Sequence, residues 1–515
     1  MQTARFTAES GQSATTETYE FELEVRGEIP RALAGSLVVA TSRRDKDRLR
    51  FSRWHDSPSD LLRLDLHPGR PGRVHATFLA VEPSIRELLP DSQPDGFYVT
   101  QPNHGLNVEG DSVWATNLLF GAPLEVGLTS WEPRRVLRFL EPTEIEPQVT
   151  STSHFAWSPD RRRAYFHQSL LARESAGANV SAVDLSLAEL DTETGAERVW
   201  PIRPPPDDAS LESANFHSAF CYEEGGRRFV GLLKTGAVVE CLEAHTVAHD
   251  HRVSRAPHST IWIVEVDHGA RALQAALLPG IRELGALALS HLSVDASSRD
   301  GFVLYANYKQ ADVAEETHGE NIYGEPPEDV REHYAGMIVE ALNYGLVLRY
   351  ERRGGEVSLR TFSRPYVPGR TSLGHSWLPI NIGIASSGRR LFCTFNGFRP
   401  RLLTRHVAAA YPHLVVDEQA VRYVPPLLMR FDAETLMPDY DAKRRHLSYA
   451  EPMPLAIASD GDRDWVCTFS PELGLRIYDG DDLSMTVGHA VSHGLLTWKD
   501  SHFRPEPAHM EFVPR

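Results

Sequence analysis

Short apolar runs separated by tight polar turns recur along almost the whole 515-residue chain. In "GDSVWATNLLFG", "SHFAWSPDRRRAYFHQSL", "CYEEGGRRFVGLL" and "STIWIVEVDHG", an apolar strand meets a turn rich in Gly, Asp or Ser. The pattern repeats in "SSRDGFVLYANY", "GLVLRYERRGGEVSLRTF", "ASSGRRLFCTFNG" and "GDRDWVCTFSPELGLRIYDGDDLS". Hairpins at such spacing predict an all-β sandwich, barrel or propeller. Their spread over the chain without alternating helices favours a propeller over a parallel α/β sheet. No strict WD or kelch repeat is present, so the blades are expected to be divergent.

Three segments break the strand pattern. "VEPSIRELLPD" opens a short helix at Pro83 and Ser84, and "EPPEDVREHYAGMIVEALNYG" reads as one amphipathic helix from Glu328 to Ala341. "RPRLLTRHVAAAYPHLVV" has an apolar face interrupted by Pro412. Helices inserted on a β scaffold cap one face, where a ligand tunnel can be built. "PIRPPPDD", around Pro204, reads as a stiff surface loop. No linker divides the chain, so the expectation is a flexible segment 1–23 followed by one domain over 24–515.

Composition removes several functional classes. A hydrophobic share of 41% and a charged share of 24% are those of a soluble globular protein. A net charge of −17 argues against a nucleic-acid partner, since no basic stripe is available to displace counterions from phosphate. Cys221, Cys241, Cys393 and Cys467 show no C-x-x-C spacing, and three of them sit in apolar runs. They are expected to be buried thiols in a reducing compartment, neither a disulfide frame nor a zinc site. The first residues lack an apolar signal region and no run of about 18 apolar residues occurs, so the expected location is the cytoplasm.

The candidate chemistry lies in the histidines. Of 23, His154 in "TSTSHFAWSPDRRRAYF", His217 in "ANFHSAFCYEEGG" and His291 in "LALSHLSVDASSRDG" each stand where a strand begins toward a tight turn. His509 in "PAHMEFVPR" begins the last possible strand. Equivalent positions on successive propeller blades face the central axis, so four such residues would converge there. Four neutral imidazoles suit a borderline first-row metal such as Fe(II), whereas Ca and Mg prefer oxygen ligands. His502, in "KDSHFRPEPAH", is the neighbouring alternative; His509 is preferred because "HMEF" continues as a strand. His104, His167 and His375 read as structural.

With these stretches in order, the chain resembles the carotenoid cleavage oxygenase family, which includes apocarotenoid-cleaving enzymes, lignostilbene dioxygenases and the retinoid isomerohydrolase. The resemblance rests on "VRGEIPRALAGSLVV" (Val25 to Val39), "HSAFCYEEGGRRFVGLL", "SHLSVDASSRDGFVLYANY" and "AHMEFVP", and covers residues 24–515. It implies a seven-bladed β-propeller, capped on its active-site face by inserted helices, with Fe(II) on the axis held by His154, His217, His291 and His509. It also implies O2-dependent cleavage of a C=C bond in an apolar alkene into two carbonyls.

The sequence departs from the family where glutamates are expected to receive ring N–H groups from the ligands. At the first such place stand Thr116, the candidate catalytic residue, and then Asn117. "GHSWLPINIG" offers His375, Ser376 and Trp377 at the second, and "ASDGDRDWVCTF" offers Asp462 at the third. Asn117, Ser376 and Asp462 are therefore the expected residues behind the ligands, with less negative charge around iron. Stilbene-cleaving relatives hold the phenol with a lysine; its absence from "VWATN" disfavours a phenolic stilbene. Trp114, Phe120 and Trp377 are the candidate substrate-binding residues, with Trp157 and Phe216 as further aromatic candidates. The segment around Pro412 is either a solvated lid helix or a transient contact with a membrane surface.

Overall fold

The computed structural model describes residues 18–45, 59–68, 73–81, 105–116, 122–137, 148–172, 181–208, 216–234, 237–241, 251–255, 260–267, 269–277, 288–295, 301–310, 342–353, 356–363, 379–384, 390–395, 427–432, 439, 445–446, 455–460, 463–470, 474–491 and 503–514. The chain divides into two compact units, one of Met1–Glu87, Thr317–Tyr344 and Arg364–Arg515, the other of Leu88–Glu316 and Gly345–Ser363.

In the first unit a nine-stranded sheet runs Leu455–Asp460, Arg463–Ser470, Gly474–Asp479, Thr486–Val491, Thr18–Gly27, Arg73–Ala80, Ser59–Leu66, Gly35–Asp45 and Phe503–Pro514. The last strand lies antiparallel to Gly35–Asp45 along its whole length, so the two ends of the sequence close one sheet. Alternation places Leu37, Val39, Leu62, Leu64 and Phe78 in one buried cluster with Cys467 and Ile477. A second sheet of four strands spans Pro379–Ile384 to Arg445–His446.

The second unit is a succession of antiparallel meanders. Four strands run from Gly105–Glu109 to Pro133–Val136, and five from Gln148–Ser151 to Glu197–Pro201. Four follow from Phe216–Glu224 to Ala270–Leu277, carrying the inserted hairpin Ala237–Cys241 and His251–Arg255. A last set of four begins at Ala288–Asp295 and ends at Glu356–Ser363. Successive sheets pack face to face. Trp114 of the first packs with Phe155 and Phe166 of the second, and Tyr165 and Leu187 of the second pack with Val230 and Trp262 of the third. Among the described residues, five of the sheets are four- or five-stranded antiparallel modules.

Turn chemistry explains the hairpin that carries His217. Gly225 and Gly226 both have positive φ, at 58° and 77°, the requirement of a type I′ turn. Glu223 pairs with Arg228 and Glu224 with Arg227 across that turn. Among the described residues the longest helical stretch is the three-residue turn Arg31–Leu33. Apart from Val81, the three expected helical segments lie outside the described residues. The first strand begins at Thr18, inside the segment expected as a tail, and residues 1–17 lie outside the described ones. Cys221, Cys393 and Cys467 are free and buried, and burial pushes all three thiols up.

Candidate metal centre

His154 follows the strand Gln148–Ser151 and makes a single parallel bridge with Ser218, at the start of the next sheet's first strand. Main-chain bonds lace the two histidines together. The N–H groups of Ser153 and His154 both donate to the His217 carbonyl, at 2.9 and 3.2 Å, and the Ala219 N–H donates to the His154 carbonyl at 3.0 Å. His217 is fully buried and sits at a register irregularity between Phe216 and Ser218. Bulges re-aim side chains at strand ends. The same device marks two other candidate positions: the register shifts between Leu289 and His291, and again beside His509, which pairs with Ala40 while Pro507 pairs with Thr41.

The imidazoles of His154 and His217 stand edge to face, with ring centres 5.1 Å apart and planes at 77°. With metal–nitrogen bonds of about 2.1 Å, two imidazoles on neighbouring positions of one ion have ring centres about 4.5–5 Å apart. The pair therefore has the span and the donor chemistry of two adjacent ligands of a first-row metal. Part of His154 remains accessible, but its Nε2 is buried, and burial pushes its pKa down from 6.5 to about 4. The ring is thus neutral near pH 7, as a ligand must be.

That depressed value makes a prediction for the metal-free protein. Between pH 4 and 6.5 the unfolded chain takes up a proton that folded His154 refuses. Stability is full above the unfolded value and is lost as pH falls toward the folded one, by roughly 2–3 kcal/mol from this group. Urea midpoints measured between about pH 4.5 and 7.5 should therefore fall on acidification, with a flatter profile in His154→Gln.

The segment 153–155 is held from the neighbouring sheet. Thr116, fully buried, donates its hydroxyl to the Ser153 carbonyl at 2.7 Å. Asn107 donates its amide to the same carbonyl at 3.0 Å and accepts from the Phe155 N–H at 2.7 Å. Asn107 carried no signal in the sequence: Leu106, Asn107 and Val108 are all buried, and its role depends on the approach of a second sheet. His167 is buried beside Phe216, with Nδ1 2.8 Å from Thr152 Oγ1. Phe216 also packs on Trp262, while Trp157 carries the Arg161 guanidinium over its ring. Trp114 is 2% exposed and touches Phe155 and Trp157 in the core.

The structure thus brings together His154, His217 and Thr116. The side chains of His291 and His509 lie outside the described residues, as do Asn117, Phe120, Ser376, Trp377, Asp462, His104, His375 and His502. Among the described residues no group of three or more His, Cys, Asp or Glu is placed to hold a metal.

A succession of antiparallel modules, together with the likeness to solved structures, defines the class: this is a β-propeller with the carotenoid cleavage oxygenase fold. Solved structures similar to this chain include several forms of Synechocystis apocarotenoid oxygenase. A tryptophan-to-alanine mutant of Synechocystis apocarotenoid oxygenase matches with a TM-score of 0.58 and 12% identity, covering 97% of this chain and 96% of that one. Cobalt-substituted Synechocystis apocarotenoid oxygenase matches with a TM-score of 0.56, 12% identity and the same coverage. A chimera of apocarotenoid oxygenase and RPE65 matches at 0.55 and 13%, again over 97% and 96%. No protein-family model and no curated protein matches the sequence.

Proposed function

We propose that this protein is a non-haem Fe(II) dioxygenase that cleaves a C=C bond of an apolar alkene of apocarotenoid, stilbene or terpenoid type. The observation that carries the reading is the His154–His217 pair, with His154 kept neutral by burial and the two rings at the span of adjacent ligands, inside a carotenoid-oxygenase fold. His154, His217, His291 and His509 would hold the iron, which when bound supplies the redox chemistry that activates O2. Both oxygen atoms enter the products: one alkene and one O2 give two carbonyl compounds, with no other reductant. In this reading burial keeps the His154 imidazole neutral, Thr116 steadies the backbone beside it, and Phe120 and Trp377 offer apolar surface to the substrate, whereas Trp114 is packed in the core against Phe155 and Trp157. Asn117, Ser376 and Asp462 would stand behind the ligands. The proposed location is the cytoplasm, with the Pro412 segment available for transient contact with a membrane surface; among the described residues no helix is long and apolar enough to cross a membrane.

The test is anaerobic reconstitution with Fe(II) followed by turnover of apocarotenoid and stilbene panels under 18O2. The expected result is about one iron per chain and label in both carbonyl products. Isomerised or oxidised products without scission would replace cleavage by another four-histidine iron chemistry, which the uncharged Asn117 and Ser376 favour. A clean preparation that takes up no iron would overturn both readings and leave a binding protein.

A further inference from the structure

We propose that Gly105, Asn107 and Thr116 form an uncharged seat for the main chain on both sides of His154, and that this seat sets how tightly the histidine pair holds a first-row metal. The inference rests on the metal reading above and assigns positioning residues within it. Gly105–Glu109 and Ser112–Thr116 form one hairpin in which Gly105 pairs with Thr116 and Asn107 with Trp114. Side chains alternate with a period of two, so these four positions share one face of the hairpin. That face meets residues 153–155. Thr116 and Asn107 both donate to the carbonyl that precedes His154, and Asn107 accepts from the amide that follows it. Trp114 closes the same contact against Phe155.

Glycine is required for this approach. A Cβ on residue 105 would lie 2.2 Å from Thr116 Oγ1 and 2.3 Å from the Ser153 carbonyl oxygen, forcing apart the donor and acceptor of the seat. Asn107 and Thr116 are 3% and 0% exposed, so their bonds form in a dry environment where a lost partner is not replaced by water. Because the Ser153 and His154 amides hang from the His217 carbonyl, any shift of the segment moves one histidine relative to the other. None of the three residues touches an imidazole through a described bond; each acts through the backbone.

The test is anaerobic Co(II) titration of the full chain, read by calorimetry and by the visible d–d spectrum. Asn107→Ala, Thr116→Val and Gly105→Ala should each weaken Co(II) binding about 10- to 100-fold and change the spectrum, the range found when groups that orient ligands are removed. Thr116→Ser keeps the donor and should restore both readouts. Val113→Ala, a buried change in the same hairpin outside the seat, should lower the melting temperature and leave affinity and spectrum as in the parent. Parent-like affinity and spectrum in Thr116→Val, or an equal loss in Val113→Ala, would overturn the seat while the metal reading stands. A parent protein that binds no Co(II) would overturn both. Should Asn107→Ala fail to fold, the Thr116→Val and Thr116→Ser pair decides.

Discussion

Replacing His217 with alanine is expected to leave the chain folded, to lower Fe(II) affinity by more than about 100-fold, beyond the range of an orienting partner, and to reduce turnover to background. The main-chain role of this residue survives the change, because the bonds that join it to Ser153 and His154 end on its carbonyl. What disappears is the buried imidazole that faces His154 across 5.1 Å. Iron content measured after anaerobic reconstitution, together with a denaturation curve, separates ligation from folding. His167→Ala is the control, since that imidazole is equally buried but bonded to Thr152 and packed edge-on against Phe216. Equal loss of iron in both variants would mean that bulk destabilisation, not ligation, is being measured.

The second large effect is one of stability and arises in the "PIRPPPDD" loop. Asp208 accepts from Lys234 Nζ at 2.9 Å, Thr260 Oγ1 at 2.7 Å and Trp262 Nε1 at 2.8 Å, while Asp207 accepts from the Ala275 amide at 2.9 Å. Burial by itself would raise the Asp208 pKa, but the bonds from Trp262, Lys234 and Thr260 and the lysine charge outweigh it and hold the carboxyl below its ordinary value. The Lys234 side chain is only 6% exposed. Asp208→Ala takes the carboxylate away from a buried ammonium, a change that costs about 3–5 kcal/mol. Urea unfolding at neutral pH should show that loss, and pairing Asp208→Leu with Lys234→Met should recover much of it. A loss under about 1 kcal/mol for Asp208→Ala would show that the ion pair is solvated in solution.

Much of this loop's meaning was invisible beforehand. A run of prolines and two aspartates reads as exposed and polar, and nothing local says that three strands will present donors to it. The same holds for Gly105 and Asn107. Glycine at a strand start and asparagine between Leu106 and Val108 are ordinary in sequence, and their roles exist only because a second sheet brings the Ser153 carbonyl against them. The pairing of Gly35–Asp45 with Phe503–Pro514 is likewise beyond local pattern, since it joins the two ends of the chain.

By itself, the sequence determined the all-β class and the hairpins. Those features are local: alternation sets which residues face inward, and Glu223, Gly225, Gly226 and Arg228 encode one turn and its register within six residues. It also placed His217 near a strand start, whereas His154 falls between strands and His291 and His509 fall within Ala288–Asp295 and Phe503–Pro514. Only the tertiary structure decided that their rings meet at 5.1 Å, that burial keeps His154 neutral, and that Thr116 works through the Ser153 carbonyl. Each of these depends on the approach of separate sheets, a distance that no periodicity along one strand can specify.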